Sequence, residues 1–169
     1  MAEKILPDLY RIQIPLPNNP LKSLNSYVIK GRDRNLIIDT GFNRPECKET
    51  MFSGLEELGV DLNKTDLFIN HLHADHSGLA AILATADSKV YCSQVDSIII
   101  NEGVLESHWL DYGHYFKSYG FPLDILENAI KKHPAHKYRI EFELDFTIVG
   151  EGTPITIGDY CFVVVETPG

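Results

Sequence analysis

The stretch FINHLHADHSGLAAIL, residues 68–83, decides how the chain is read. Three of the seven histidines, His71, His73 and His76, fall within six positions of it, and Asp75 stands between the last two. The apolar run before them, Asp66-Leu67-Phe68-Ile69-Asn70, has the length and composition of a short buried strand. Ser77 to Ala86, with Leu79, Ile82 and Leu83 on one face, reads as a helix. The four polar residues therefore sit in a loop between a strand and a helix. In an extended segment His71 and His73 point the same way and Leu72 points into the core. Such a loop can gather all four side chains around one small volume. Neutral imidazoles and a carboxylate are suitable donors for Zn²⁺, and also for iron or manganese. One ion does not comfortably take two ligands two residues apart and two more that are adjacent. The natural division is one pair per metal, giving two ions roughly 3.5–4 Å apart as in two-metal hydrolases.

The surrounding sequence supplies an α/β frame. In Leu9–Ile14 the residues Tyr10, Ile12 and Ile14 alternate with Arg11 and Gln13, as in a half-buried strand. Residues 26–30 and 35–39 flank Gly31–Arg34 and read as a hairpin. The run Leu36-Ile37-Ile38 suits a strand covered on both faces. Pro45 to Leu58 reads as a helix with Met51, Leu55 and Leu58 on one face and Gly59 ending it. Lys89–Cys92 is a further strand, and residues 94–133 are mostly helical, with Ser93 and Asp96 at capping-box spacing. Within that segment Tyr112, Tyr115, Phe116 and Tyr119 form a stripe near Trp109. It is read either as core against the sheet or as the wall of an apolar pocket. Strands return at 140–146, 155–157 and 162–165, with Gly158-Asp159 as a turn. Strands alternating with helices favour helices packed on a sheet.

Composition narrows the function. The 169 residues fit one domain, with 44% hydrophobic and 23% charged residues, as in ordinary globular chains. The net charge of −9 repels polyanions, and no Lys/Arg cluster makes a local exception, so nucleic acid is not expected as a partner. Lys131-Lys132 reads as a solvated helix end. No run is long and apolar enough for a membrane span, and the start carries no secretory pattern. Cys47, Cys92 and Cys161 are widely spaced and form no CxxC pair, so free thiols in a cytoplasmic protein are expected. His108, His114, His133 and His136 read as solvent or core-edge groups.

The HxHxDH pattern after a buried strand and before an apolar helix resembles the metallo-β-lactamase superfamily. Ile37-Ile38-Asp39-Thr40-Gly41 is similar to that family's early strand ending in Asp-Thr-Gly. Glu166-Thr167-Pro168-Gly169 is similar to the strand end before its next metal histidine. The resemblance implies an αββα sandwich, of which residues 1–169 are the N-terminal half plus part of the C-terminal half, with 94–133 as a helical insertion. It implies that His71 and His73 bind a first metal, that Asp75 and His76 bind a second, that Asp75 also orients the attacking hydroxide, and that Asp39 lies beneath as an outer-shell acceptor. The alternative for Asp39 is a turn or helix-cap residue. Because family members carry further ligands after Thr-Pro-Gly, the expectation is a truncated chain with weak or partial occupancy by two Zn²⁺. Self-association, or pairing with a missing C-terminal part, is expected through the apolar strand 162–165. The implied chemistry is hydrolysis of a thioester, lactone or other small ester or amide. An iron-dependent oxygenase of the persulfide dioxygenase type and a non-enzymatic domain that keeps the motif are the alternatives.

Overall fold

In the computed structural model, which describes residues 1–167, the chain builds a helix layer, a seven-stranded sheet and a small second sheet. Pro168 and Gly169, the end of the Glu-Thr-Pro-Gly segment, lie outside the described residues. The large sheet runs in sequence order through β1 (Ala2–Leu6), β2 (Leu9–Pro15), β3 (Ser23–Lys30), β4 (Asn35–Ile38), β5 (Thr65–Phe68), β6 (Val90–Cys92) and β7 (Phe146–Ile148). Strands β1 to β4 pair antiparallel, whereas the β4–β5, β5–β6 and β6–β7 pairings are parallel. A parallel step needs a crossover. Helix α1 (Pro45–Glu57) supplies the first, and α2 (Ala74–Ser77) with α3 (Ala80–Leu83) the second. The third contains α4 (Gln94–Glu102), α5 (Glu106–Ser118), α6 (Leu123–Lys132) and α7 (Pro134–Lys137). Strands β8 (Pro154–Ile157) and β9 (Tyr160–Val163) form the second sheet.

The apolar runs of the central strands follow from burial on two faces. Val28, Ile37, Leu67, Val90 and Cys92 point toward the helices and join Ile12, Ile14, Cys47 and Met51 in the main core. Their chain neighbours Ile29, Leu36 and Tyr91 point the other way, onto Val149, Ile155 and Ile157 beside the small sheet. Helix α1 lies close on β2. A Cβ at Gly54 would come within 2.7 Å of the Ile12 side chain. Gly59, at φ 62°, takes the left-handed turn that ends the helix. Where β4, β5 and β6 begin, buried Asp66 accepts from Arg34 Nε at 2.8 Å and from the Lys89 backbone N–H at 2.9 Å.

Four elements differ from the sequence reading. The helix expected over 77–86 is two short ones that begin earlier, at Ala74, so Asp75 and His76 lie inside a helix rather than in a loop. It breaks at Gly78–Leu79 because the Leu79 N–H donates to Thr40 Oγ1 at 3.1 Å. The strand expected over 140–146 begins only at Phe146. Leu144 instead exchanges two hydrogen bonds with the Asn101 side chain, at 2.9 and 3.0 Å, and so is taken out of sheet pairing. The last strand spans Tyr160–Val163 instead of 162–165, and β1 has no counterpart in the sequence reading. The tyrosine stripe of α5 is not core. Tyr112, Tyr115 and Tyr119 are 51%, 58% and 68% exposed and pack on one another and on Phe116.

The three cysteines are free, with Cys47 and Cys92 buried and Cys161 exposed. Burial pushes both inner thiols up, that of Cys92 to about 12. In the native chain at pH 8 a thiol reagent should therefore modify Cys161 rapidly, with the other two reacting only on unfolding, as mass spectrometry over time will show. Ile37 is fully buried, so Ile37→Ala should cost about 2–5 kcal/mol, read as a lower urea midpoint at unchanged slope.

Candidate metal centre

The parallel pairing carries β4, β5 and β6 in one direction, so their C-terminal ends share one edge of the sheet. That edge is where open α/β sheets place ligands. Asp39 follows β4 there, and Asn70 and His71 follow β5. His73 is the N-terminal flanking residue of α2, and Asp75 lies in its first turn.

Asp39 organises the edge. It is 4% exposed and sits at φ 58°, a left-handed conformation that Asp and Asn tolerate better than other side-chain-bearing residues. Its Oδ1 accepts the Asn70 backbone N–H and its Oδ2 the Asn70 side-chain amide, both at 3.0 Å. The same Oδ2 stands 2.8 Å from His76 Nδ1. Thr40 reinforces the link, since its N–H and its hydroxyl both donate to the His76 carbonyl at 2.8 Å. The sequence reading gives no role to Asn70 or Thr40: Asn70 closes the strand before the motif, and Thr40 stands in the Asp-Thr-Gly segment after Asp39.

With Nδ1 engaged by Asp39, His76 presents Nε2 outward, 3.8 Å from Asp75 Oδ2. His71 Nε2 and His73 Nδ1 face each other at 2.9 Å, with ring centroids 4.2 Å apart. The His71 and His76 rings are 5.7 Å apart. The four side chains named from the motif thus come together as two pairs. Two donors on one tetrahedral Zn²⁺, each roughly 2.0–2.1 Å from it, stand about 3.4 Å apart. The His71–His73 separation is a few tenths of an ångström below that and the Asp75–His76 separation a few tenths above, so small side-chain rotations bring each pair to ligating distance. Among the described residues no group of three or more His, Cys, Asp or Glu side chains is arranged to hold an ion as it stands. The donors fit a metal as pairs that require completion.

Burial lowers the proton affinity of His73, and the neighbouring His71 ring adds to this against the pull of Asp75. For His76, burial acts in the same direction, but the Asp39 hydrogen bond and charge outweigh it and the net shift is upward. A raised folded value contributes stability below the unfolded value near 6.5, and that stability is lost as pH rises through the folded value. In metal-free Asp39→Asn the His76 midpoint should fall below the ordinary imidazole range, because burial remains and the carboxylate is gone. Histidine proton NMR across pH 4–9 reads this directly.

A trough of about 840 Å³ opens beside His71, lined by Phe68, Ser93, Asp96, Val149 and Val165 among others. Behind the motif lies a small cavity of about 60 Å³, with Leu72 and Ala74 on one side and His108 and Trp109 on the other. The tyrosine stripe lines neither.

The family model of the metallo-beta-lactamase superfamily matches residues 20–160, and the chain belongs to that superfamily. Over 98% of its length it superimposes on a metallo-beta-lactamase family protein from Thermus thermophilus, with TM-score 0.78 at 21% identity, covering 54% of that chain. A class B3 di-zinc metallo-beta-lactamase, LRA-12 from an Alaskan soil metagenome, matches 99% of the chain with TM-score 0.65 at 19% identity, over 52% of its own length. Among curated proteins, an atrochrysone carboxyl ACP thioesterase of Emericella nidulans is 26% identical over 156 residues, 90% of this chain and 48% of the relative. A lactamase-like protein of Pestalotiopsis microspora is 37% identical over 87 residues, 48% of this chain and 25% of the relative. The chain thus spans about half the length of the thioesterase and less of the other relative. Among the described residues no helix is long and apolar enough to cross a membrane.

Proposed function

We propose that this chain carries the metal-binding half of a hydrolase site that cleaves thioesters. The observation that carries the reading is the convergence of His71, His73, Asp75 and His76 on one sheet edge, with Asp39 fixing His76 from below. The thioesterase name of a relative that aligns with 90% of the chain favours a thioester over a lactone or amide.

His71 and His73 would hold one ion and Asp75 with His76 another, zinc first and iron or manganese as alternatives. When bound, such ions lower the pKa of a coordinated water toward neutrality and polarise a carbonyl. The chain's own residues do the rest. Asp39 accepts the His76 Nδ1 proton, which fixes the tautomer and leaves Nε2 as the donor atom. Burial lowers the proton affinity of His73 and so favours the neutral form, in which an imidazole ligates. Asp75, on the first turn of α2, can accept a proton from the attacking water and aim its lone pair at the acyl carbon. Each pair leaves its ion short of protein donors, so occupancy in this chain alone is partial.

The chain as it stands, titrated with zinc and assayed on S-butyryl-N-acetylcysteamine, should take up zinc and release butyrate. His71→Ala should reduce zinc uptake. Asp75→Asn should slow hydrolysis about 10²–10⁴-fold. Absence of both metal uptake and cleavage sinks the proposal, and iron content with oxygen consumption in place of hydrolysis redirects it to an oxygenase.

A further inference from the structure

Helix α5 carries an aromatic surface that the sheet does not cover. Tyr112, Tyr115, Tyr119 and Phe121 are 51%, 58%, 68% and 52% exposed. Their rings are continuous. Phe116 packs on Tyr112, Tyr115 and Phe121, with centroids 5.2, 5.6 and 5.8 Å away, and Tyr115 packs on Tyr119 at 5.1 Å. In the other direction His108 lies 6.0 Å from Tyr112 and 5.5 Å from Trp109, and Trp109 lies 5.0 Å from His136 of α7. An aromatic side chain offers about 150–250 Å², so the four exposed ones leave roughly 450 Å² open, over half of the ~800 Å² that each partner contributes to a standard interface. None of the four lines either cavity beside the motif, so those cavities do not account for their exposure.

The end of this surface at the α6–α7 corner is positively charged. Residues 131–139 read KKHPAHKYR, with four Lys or Arg and no acid, in a chain of net charge −9. Lys131 and Lys132 end α6 and Lys137 ends α7, so the fold adds a third cation to what the sequence reading took as a solvated helix end. All three lysines are exposed. Among the described residues no carboxylate forms an ion pair with any of them. Lys137 Nζ instead lies 5.2 Å from the centre of the Tyr138 ring.

We infer that this surface docks an acidic amphipathic helix of a partner protein, whose apolar ridge lies along the tyrosine stripe and whose carboxylates meet Lys131, Lys132 and Lys137. Aromatic residues with charge kept to the margin are the composition of protein interfaces. A contiguous exposed apolar strip along a helix is covered by laying the apolar face of another helix on it. A nucleic acid would stack its bases on open ring faces and need cations along its length. Here the rings meet one another at 58–86°, which forms no parallel stack, and the lysines stand at one end only. A second copy supplies rings, but among the described side chains of the helix that bears them Asp111 is the one acid.

Three fluorescein-labelled helical peptides of about 18 residues serve as probes of the full chain by fluorescence anisotropy. One has Leu on one face and Glu on the other, the second replaces Glu by Gln, and the third replaces Leu by Ala. The Leu/Glu peptide should bind, and each of the others should bind at least about tenfold more weakly. Added salt should weaken the Leu/Glu complex. The triple variant Lys131→Glu/Lys132→Glu/Lys137→Glu should lose about tenfold in affinity for that peptide, and so should Tyr115→Ala/Tyr119→Ala. Circular dichroism of both should match wild type, since every altered side chain is exposed. Equal binding of the Glu and Gln peptides overturns the inference, as does wild-type affinity in either variant or no binding by any form. Displacement of the peptide by an equal concentration of oligothymidylate assigns the surface to nucleic acid instead. A dimer in light scattering that Tyr115→Ala/Tyr119→Ala dissolves assigns it to a second copy. The assay needs neither metal nor thioester, so its result stands apart from that of the hydrolase test.

Discussion

One buried carboxylate holds the functional edge together. Asp39 follows β4, and through its two oxygens it engages Asn70, just past β5, and the ring of His76 on α2. Removing an ionised carboxylate from water is costly unless its lone pairs are satisfied, and here three donors face it. Its left-handed backbone turns the chain at the one place where Asp39 reaches both neighbours. The Ser26 hydroxyl donates to the Asp39 carbonyl at 2.7 Å, so main chain and side chain are both tied down. Loss of the carboxylate therefore disturbs a strand end, a turn and a helix together.

That arrangement depends on the strand bed beneath it. Strands β4, β5 and β6 are buried on both faces, which fixes their register against slippage. At their N-terminal ends the Arg34–Asp66 pair and the Lys89 N–H clamp the three strands together. Asp66 is almost wholly buried and Arg34 is partly open to solvent, so the pair contributes alignment more than net stability. With the far ends aligned, the near ends deliver Asp39, His71 and Ser93 side by side. The helical segment 94–137 behaves differently. Helices α5 and α6 expose Leu110, Tyr115 and Ile125, and among the described residues His108 and Trp109 of α5 line the small cavity behind the motif.

Much of this was readable in the chain itself. Period-two alternation over Tyr10–Ile14 and the unbroken Leu36-Ile37-Ile38 report one-sided and two-sided burial, and both are seen. Pro45 and Gly59 bracket α1 because each has a backbone preference that acts locally. The elements that were misplaced are those set by side-chain bonds to distant backbone. Nothing near Leu144 announces that Asn101, 43 residues away, will take up its backbone. Nothing near Leu79 announces that Thr40 will interrupt a helix. The density of histidines between 71 and 76 marked the site, but its division into a facing pair and a helix-borne pair depends on α2 starting at Ala74, a tertiary outcome.

The bare backbone at Gly78 has a mechanical consequence. With no side chain there, the backbones of residues 43, 74 and 138 meet around one Cα, and a Cβ would collide with each at 2.5–2.7 Å. Three segments far apart along the chain are thereby fastened at one point without any covalent link. A protease that nicks the exposed stretch around Gly120 would cut the polypeptide but not this junction. The two pieces would stay associated and elute together under native conditions, with the motif and the α6–α7 corner still side by side.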